Sequence, residues 1–191
     1  MILLLIIITT FLIILNFSKI TDDTISQSYN GKNYKVRKST PVSQMNTAQK
    51  LERFKNDLGK LVDYCYQKQI PNIEDSERLY NRFQKTQIHE TSSSDTSAAY
   101  VVNKGEELRV CLNGNENDTM FVLLHELAHI MSESYGHNEE FKQNMDFLVK
   151  EAVKVGIYHP VDYTKTPIDY CGVNISNTPC HNNKCLIGSK F

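Results

Sequence analysis

Two histidines four residues apart, with a glutamate directly after the first, stand in the segment Phe121–His137, FVLLHELAHIMSESYGH. On a helix that spacing puts His125 and His129 one turn apart on the same face. Two neutral imidazole nitrogens held in this way suit a tetrahedral Zn²⁺ with Zn–N bonds of about 2.0–2.1 Å. Glu126 is then placed to reach the metal-bound water rather than the metal. Zinc lowers the pKa of such a water toward ~7, and a neighbouring carboxylate can take its proton and pass it to a leaving amine. The simpler reading is an amphipathic helix with Phe121, Val122, Leu124, Leu127, Ala128 and Met131 as core and two histidines at its edge. The mid-helix position, the apolar residues inside the motif and the polar turn after it favour zinc.

A catalytic zinc takes three protein ligands and leaves a position for solvent. His137 is the expected third ligand, because Gly136 beside it lets the chain reverse. The metzincin spacing is absent, since Ser132 and Tyr135 occupy the positions where it requires glycine and histidine. A glutamate from the next helix is the alternative, with Glu139, Glu140 and Glu151 available, although a solvated helix face explains those three equally simply. An oxyanion-stabilising donor would come from Tyr158, His159, Tyr163 or Tyr170, in a segment able to fold over the cleft. His89 stands apart and reads as an ordinary core or exposed histidine.

The elements that must position these groups follow from periodicity and punctuation. Leu51, Phe54, Leu58, Leu61, Val62 and Cys65 follow helical spacing over Asn46–Gln67. A shorter helix capped by Asp75 or Ser76 runs to Phe83. Residues 91–97 are loop by composition. Two strands joined at Asn103-Lys104-Gly105 form a hairpin over residues 98–113. The motif helix is expected from Thr119 to about Ser134, capped by Asn117 or Asp118 and ended by Gly136. A second helix is expected from about Asn138 to Val155. The remainder is punctuated by proline and asparagine and reads as loop. The fold class is α+β.

The chain has 191 residues and a formal net charge of -1, room for one domain and no electrostatic footprint for nucleic acid. Met1–Phe17 is an uncharged apolar run, at the short end of what crosses a bilayer as a helix. It lacks the basic start and small-residue cleavage site of a signal peptide. Residues 1–18 are therefore expected to be an anchor, 19–45 a polar tether with a short strand at most, 46–170 the catalytic domain and 171–191 a loop-rich tail. Lys19, Lys32, Lys35, Arg37 and Lys38 follow the anchor, and the positive-inside tendency puts the domain in the cytoplasm. A lumenal domain would instead make Asn117 and Asn174 glycosylation acceptors. Of the five cysteines, Cys65 and Cys111 lie in apolar patterns and are expected to be buried free thiols. Cys171, Cys180, His181 and Cys185 match no common zinc-ribbon spacing and read as free thiols or one disulfide.

The segment HELAHIMSESYGHNEEF resembles the metal-binding segment of WLM and SprT-like metallopeptidases, on His125, Glu126, His129, Gly136, His137 and Phe141. The match runs from about residue 98 to 156. Its loop is shorter than in most SprT-like proteins and slightly longer than in typical WLM domains. The chain is also similar to small anchored HExxH proteins encoded by large DNA viruses. The resemblance implies a zincin-like domain with one Zn²⁺ on His125, His129 and His137, and Glu126 as general base. It further implies a sheet edge, near Tyr100–Val102 or Leu108–Cys111, to which an extended peptide adds by main-chain hydrogen bonds. The activity so implied is that of a membrane-anchored zinc endopeptidase acting on protein or peptide substrates. The DNA-linked role of those families does not carry over, because this chain has an apolar anchor and no basic domain. The alternative is a non-catalytic, zinc-stabilised interaction module, with Glu140 or Cys171 closing the coordination sphere.

Overall fold

A computed structural model describes residues 23–177. The expected anchor, and the cysteines and histidine of the C-terminal cluster at 180–185, lie outside the described residues. Among the described residues, no helix is long and apolar enough to cross a membrane.

Among the described residues the architecture is α+β, four helices on small sheets. Helix α1, Pro41–Lys68, buries Ala48, Leu51, Phe54, Leu58, Leu61, Val62 and Cys65, the stripe that helical spacing predicts. It starts earlier than the stripe because Thr40 caps it, accepting the Ser43 N–H at 3.3 Å, and Pro41 suits a first helical turn. Helix α2, Ile73–Phe83, is capped by Asn72, which accepts the Asp75 N–H at 2.9 Å, ahead of the expected Asp75 or Ser76.

Strands β3 (Gln87–Glu90), β4 (Ala99–Val102) and β5 (Glu107–Val110) form one sheet in the order β3-β5-β4, with β5 parallel to β3 and antiparallel to β4. The β4–β5 hairpin is the expected one, and Asn103, Lys104 and Gly105 turn it with positive φ. β3 lacked any alternating signature, and its burial comes from tertiary packing. Two helices follow, α3 (Glu116–Met131) and α4 (Glu139–Lys154), which pack against each other.

Two expectations are corrected. Part of the 19–45 tether is a β-hairpin, β1 (Thr24–Tyr29) and β2 (Lys32–Arg37), turned at Asn30-Gly31 with φ of 48° and 73°. Its polar composition hides an alternation that buries Tyr34 and Val36. The hairpin docks on β3 through side chains: the Lys35 N–H donates to His89 Nδ1 at 3.1 Å and the Arg37 N–H to Glu90 at 2.7 Å. Arg37 also donates to the Thr91 carbonyl at 2.8 Å.

The second correction concerns the C-terminal segment. It carries strands β6 (Ile168–Tyr170) and β7 (Val173–Ile175), joined at Cys171-Gly172. Cys111 is not a free thiol but is bonded to Cys171, so residues 171–175 belong to the domain rather than to a tail. Cys65 is a buried free thiol, as expected. The disulfide could not be read from spacing because its partners are 60 residues apart in sequence.

Closing a loop of that length stabilises by about 4 kcal/mol on the chain-entropy account. Replacing Cys111 and Cys171 by serine is expected to lower the unfolding free energy by about 3–4 kcal/mol, and an unchanged denaturation midpoint would count against the bridge. His89 is 3% exposed and accepts a backbone hydrogen bond, which requires its neutral form. Burial lowers its pKa from 6.5 to about 4. The unfolded chain therefore binds a proton that the folded chain refuses, and stability falls as pH drops from 6.5 toward 4. Urea unfolding across that range should show a shallower loss in His89→Gln than in the wild type.

Candidate metal centre

Helix α3 begins at Glu116, earlier than expected, because Asn115 caps it by accepting the Asp118 N–H at 2.9 Å. It is buried on nearly every side: Phe121, Val122, Leu124, Leu127, Ala128 and Met131 are all core. His125 and His129 occupy the half-buried strip that remains. The expected core residues are thus buried, and the two histidines share the strip that is left.

The helix ends at Met131 rather than Ser134, because Ser132 turns extended. Three cations take up the carbonyls left without helical partners. Arg82 donates to Ile130 and Ser132 oxygens, both at 2.8 Å, Arg78 to Met131 at 3.2 Å, and Lys104 to Ser132 at 3.2 Å and to Ser134. Positive charge at a helix C-terminus is favourable for the macrodipole as well. Nothing in the sequence pointed to this cluster, since its cations come from a helix and a hairpin turn remote in sequence from residues 130–134.

Beyond the cap the chain reverses. Glu140 accepts the N–H groups of Glu133 at 2.6 Å and Ser134 at 3.0 Å, and the Ser134 hydroxyl. Burial opposes its ionisation, but hydrogen bonds from the Ser134 hydroxyl and the two N–H groups, with Arg78 nearby, hold its carboxyl down at about 2. Gly136, at φ 81°, lies inside the reversal rather than ending the helix. Asn138 then caps α4 by accepting the Phe141 N–H at 3.1 Å, and His137 is delivered just before that cap.

The outcome is convergence. His137 Nε2 lies 2.9 Å from His125 Nε2 and 3.1 Å from His129 Nε2. These ring nitrogens all lie within 4.8 Å of one another and form a group that could hold a metal ion. Nitrogens on a tetrahedral zinc with bonds of about 2.0–2.1 Å stand roughly 3.3 Å apart, close to the two separations from His137. Phe141 backs all three rings, at centroid distances of 4.8, 4.3 and 4.7 Å from His125, His129 and His137.

The electrostatics favour neutral imidazoles. Burial, with His129 and His137 close by, lowers the His125 pKa to about 3. Burial, then His137 and Lys104, lower that of His129 to about 4. Glu126 is 6% exposed, and burial pushes its carboxyl up to about 8. Removing both imidazole protons is the same change that metal binding requires.

The other sequence candidates are engaged elsewhere. Tyr163 donates to Asp118 at 2.6 Å, Tyr170 donates to the Cys111 carbonyl, and the Tyr158 hydroxyl accepts the Val161 N–H at 3.4 Å. All three are buried, so they pack the C-terminal segment instead of offering a donor to an oxyanion. The His159 backbone pairs with the Asn117 side chain. Glu139 faces Lys142 at 3.8 Å and Glu151 faces Lys154 at 2.6 Å.

A cleft crosses the three imidazoles beside the edge strand β4. On one side it opens into a cavity of about 630 Å³ shared by β4, α3, α4 and the β6–β7 hairpin. On the other side a cavity of about 360 Å³ is bordered by Tyr100, Asn103, Lys104 and Tyr135.

No family model matches the chain, and no solved structure matches it. An uncharacterized protein of Acanthamoeba polyphaga mimivirus is 34% identical over 106 residues, 52% of this chain and 54% of that protein. The chain thus spans about half the length of this relative.

If Glu140 holds the reversal, Glu140→Ala should raise amide exchange at Glu133 and Ser134 by about tenfold or more, because both N–H groups lose their acceptor. Protection in the core of α1 should stay unchanged. Equal exchange at Glu133 and Ser134 in the two proteins would contradict the assignment.

Proposed function

We propose that the chain is a zinc-dependent endopeptidase with a zincin-like domain, in which His125, His129 and His137 hold one Zn²⁺ and Glu126 is the general base. The observation that carries this reading is the convergence of the three Nε2 atoms at 2.9 and 3.1 Å, with a buried carboxylate adjoining the first of them. When bound, zinc supplies Lewis acidity and a nearby positive charge. That charge favours the ionised form of Glu126 against the burial that otherwise keeps it protonated. Glu126 then takes a proton from the attacking water and hands it to the departing amine. Strand β4, at the sheet edge, offers main-chain groups along which an extended peptide can be laid.

The competing reading is an interaction module with a closed zinc site. It needs a fourth protein ligand, and both candidates are committed: Glu140 holds the reversal and Cys171 is in a disulfide. Among the described residues, the metal-binding group contains only the three histidines. That supports an open position and hence chemistry.

Attachment to a membrane through residues 1–17 rests on their apolar sequence. Disulfides persist in oxidising compartments. The Cys111–Cys171 bond therefore supports a lumenal or extracellular domain, opposite to the side given by the positive-inside tally. The formal net charge of -1 gives no electrostatic footprint for nucleic acid.

The protein should bind one equivalent of zinc by metal analysis. Glu126→Gln is expected to retain the metal and to lose peptide cleavage by a factor of about 10² or more, whereas His129→Ala loses both. Chelation should abolish cleavage and added zinc should restore it. Wild-type cleavage by Glu126→Gln would remove the general-base assignment.

A further inference from the structure

The two sides of the cleft are chemically unlike, and the difference defines what the site accepts. The larger cavity begins at His125, Glu126 and His137 and extends between α3 and α4. Phe121 and Val122 from α3, Met145 from α4 and Ala99 from β4 line it, and Val173 and Ile175 of the β6–β7 hairpin form its outer wall. Lys142 and Asp146 lie at its border. Its volume of about 630 Å³ lies in the range of small-molecule sites and exceeds what one large side chain occupies. Val173 is 43% exposed at the lip, apolar surface that a seated ligand would cover. The smaller cavity, by contrast, is edged by Tyr100, Asn103 and Lys104.

We propose that the larger cavity is a specificity subsite that takes a large apolar side chain, such as Phe, Leu or Met, adjoining the scissile bond of a peptide lying along β4. The proposal rests on the peptidase reading above and names its substrate class. The contiguity of the cavity with the three imidazoles and Glu126 commits it to a side chain next to the reacting carbonyl. A peptide added to a sheet edge sends alternate side chains to opposite faces, so one residue beside the scissile bond points into the cavity while its neighbour points away. The preference is therefore confined to one of the two positions flanking the bond. The β6–β7 wall is held in place by the Cys111–Cys171 bond and by Tyr170, which packs against Gly114 where any side chain would collide. The subsite is consequently a built feature of the fold and not a gap between mobile loops.

The test uses the purified full-length protein with zinc and a series of peptides that differ at a single position. Binding is read by fluorescence anisotropy on Glu126→Gln, and cleavage by mass spectrometry on the wild type. Peptides with Phe, Leu or Met at the favoured position are expected to bind about tenfold or more tightly than those with Asp, Lys or Gly, the discrimination that hydrophobic pockets provide. Val122→Phe narrows the cavity and should shift the preference to Ala and Val. Val173→Asp, at an exposed position that the core does not depend on, should weaken binding of the Phe peptide by a similar factor and leave the melting temperature unchanged. Equal binding of Phe and Asp peptides, or a Phe preference untouched by both substitutions, would overturn the proposal. Cleavage without side-chain preference would sink the subsite and leave the peptidase standing. Selective binding with no cleavage of any peptide would do the reverse.

Discussion

The structure turns on a short reversal, residues 132–138, that brings the ring of His137 back over the helix carrying His125 and His129. Helix α3 by itself can offer only two imidazoles, because its other faces are spent on the core. A third nitrogen must come from a segment that is exposed and has no regular backbone bonding. Such a segment is costly to order, and the molecule orders it with charge. Arg78, Arg82 and Lys104 gather on the carbonyls at the end of α3, and Glu140 gathers the N–H groups of the next residues. Opposite charges thus face the two kinds of backbone group that a broken helix leaves without partners.

The same constraint explains the burial of the surrounding groups. Phe141, four residues past His137, supplies one apolar plate against which all three rings rest. Apolar surroundings disfavour charged imidazoles and a charged Glu126 alike. A divalent ion reverses that preference only for the glutamate, because neutral nitrogens ligate and a carboxylate beside a cation ionises. One environment therefore suits both roles proposed above, keeping the imidazoles neutral and leaving a buried carboxyl that a nearby cation would ionise.

Elements remote in sequence complete the frame. The β1–β2 hairpin covers β3 through His89 and Glu90, using side chains as acceptors for backbone N–H groups. At the other end, Tyr158, Tyr163 and Tyr170 pack the C-terminal segment against α3, with Phe121 5.0 Å from Tyr163 and 6.1 Å from Tyr158 between ring centroids. The disulfide then fastens the β6–β7 hairpin to the end of β5. What reads as tether and tail is the material from which one wall of the cleft and one cover of the sheet are made.

Local spacing was enough for α1, α3, α4 and the β4–β5 hairpin, because a periodic apolar stripe and a turn signal act over a few residues. It was enough to anticipate the convergence of His125, His129 and His137 as well, since two of them share a helical turn and the third follows a glycine. Asn30-Gly31 is a strong turn signal, yet the polar composition around it concealed the hairpin. The remainder depends on groups that meet only in three dimensions. Neither the pairing of Cys111 with Cys171 nor the assembly of Arg78, Arg82 and Lys104 on one helix end has a local signature. Glu140 is the clearest case: as a residue type it suits a metal ligand, a solvated face or a loop clamp, and only the position of the Glu133 and Ser134 N–H groups selects the last. Residue chemistry and short-range periodicity decide what a side chain is able to do, whereas long-range packing decides which partner it meets and so which of those abilities is used.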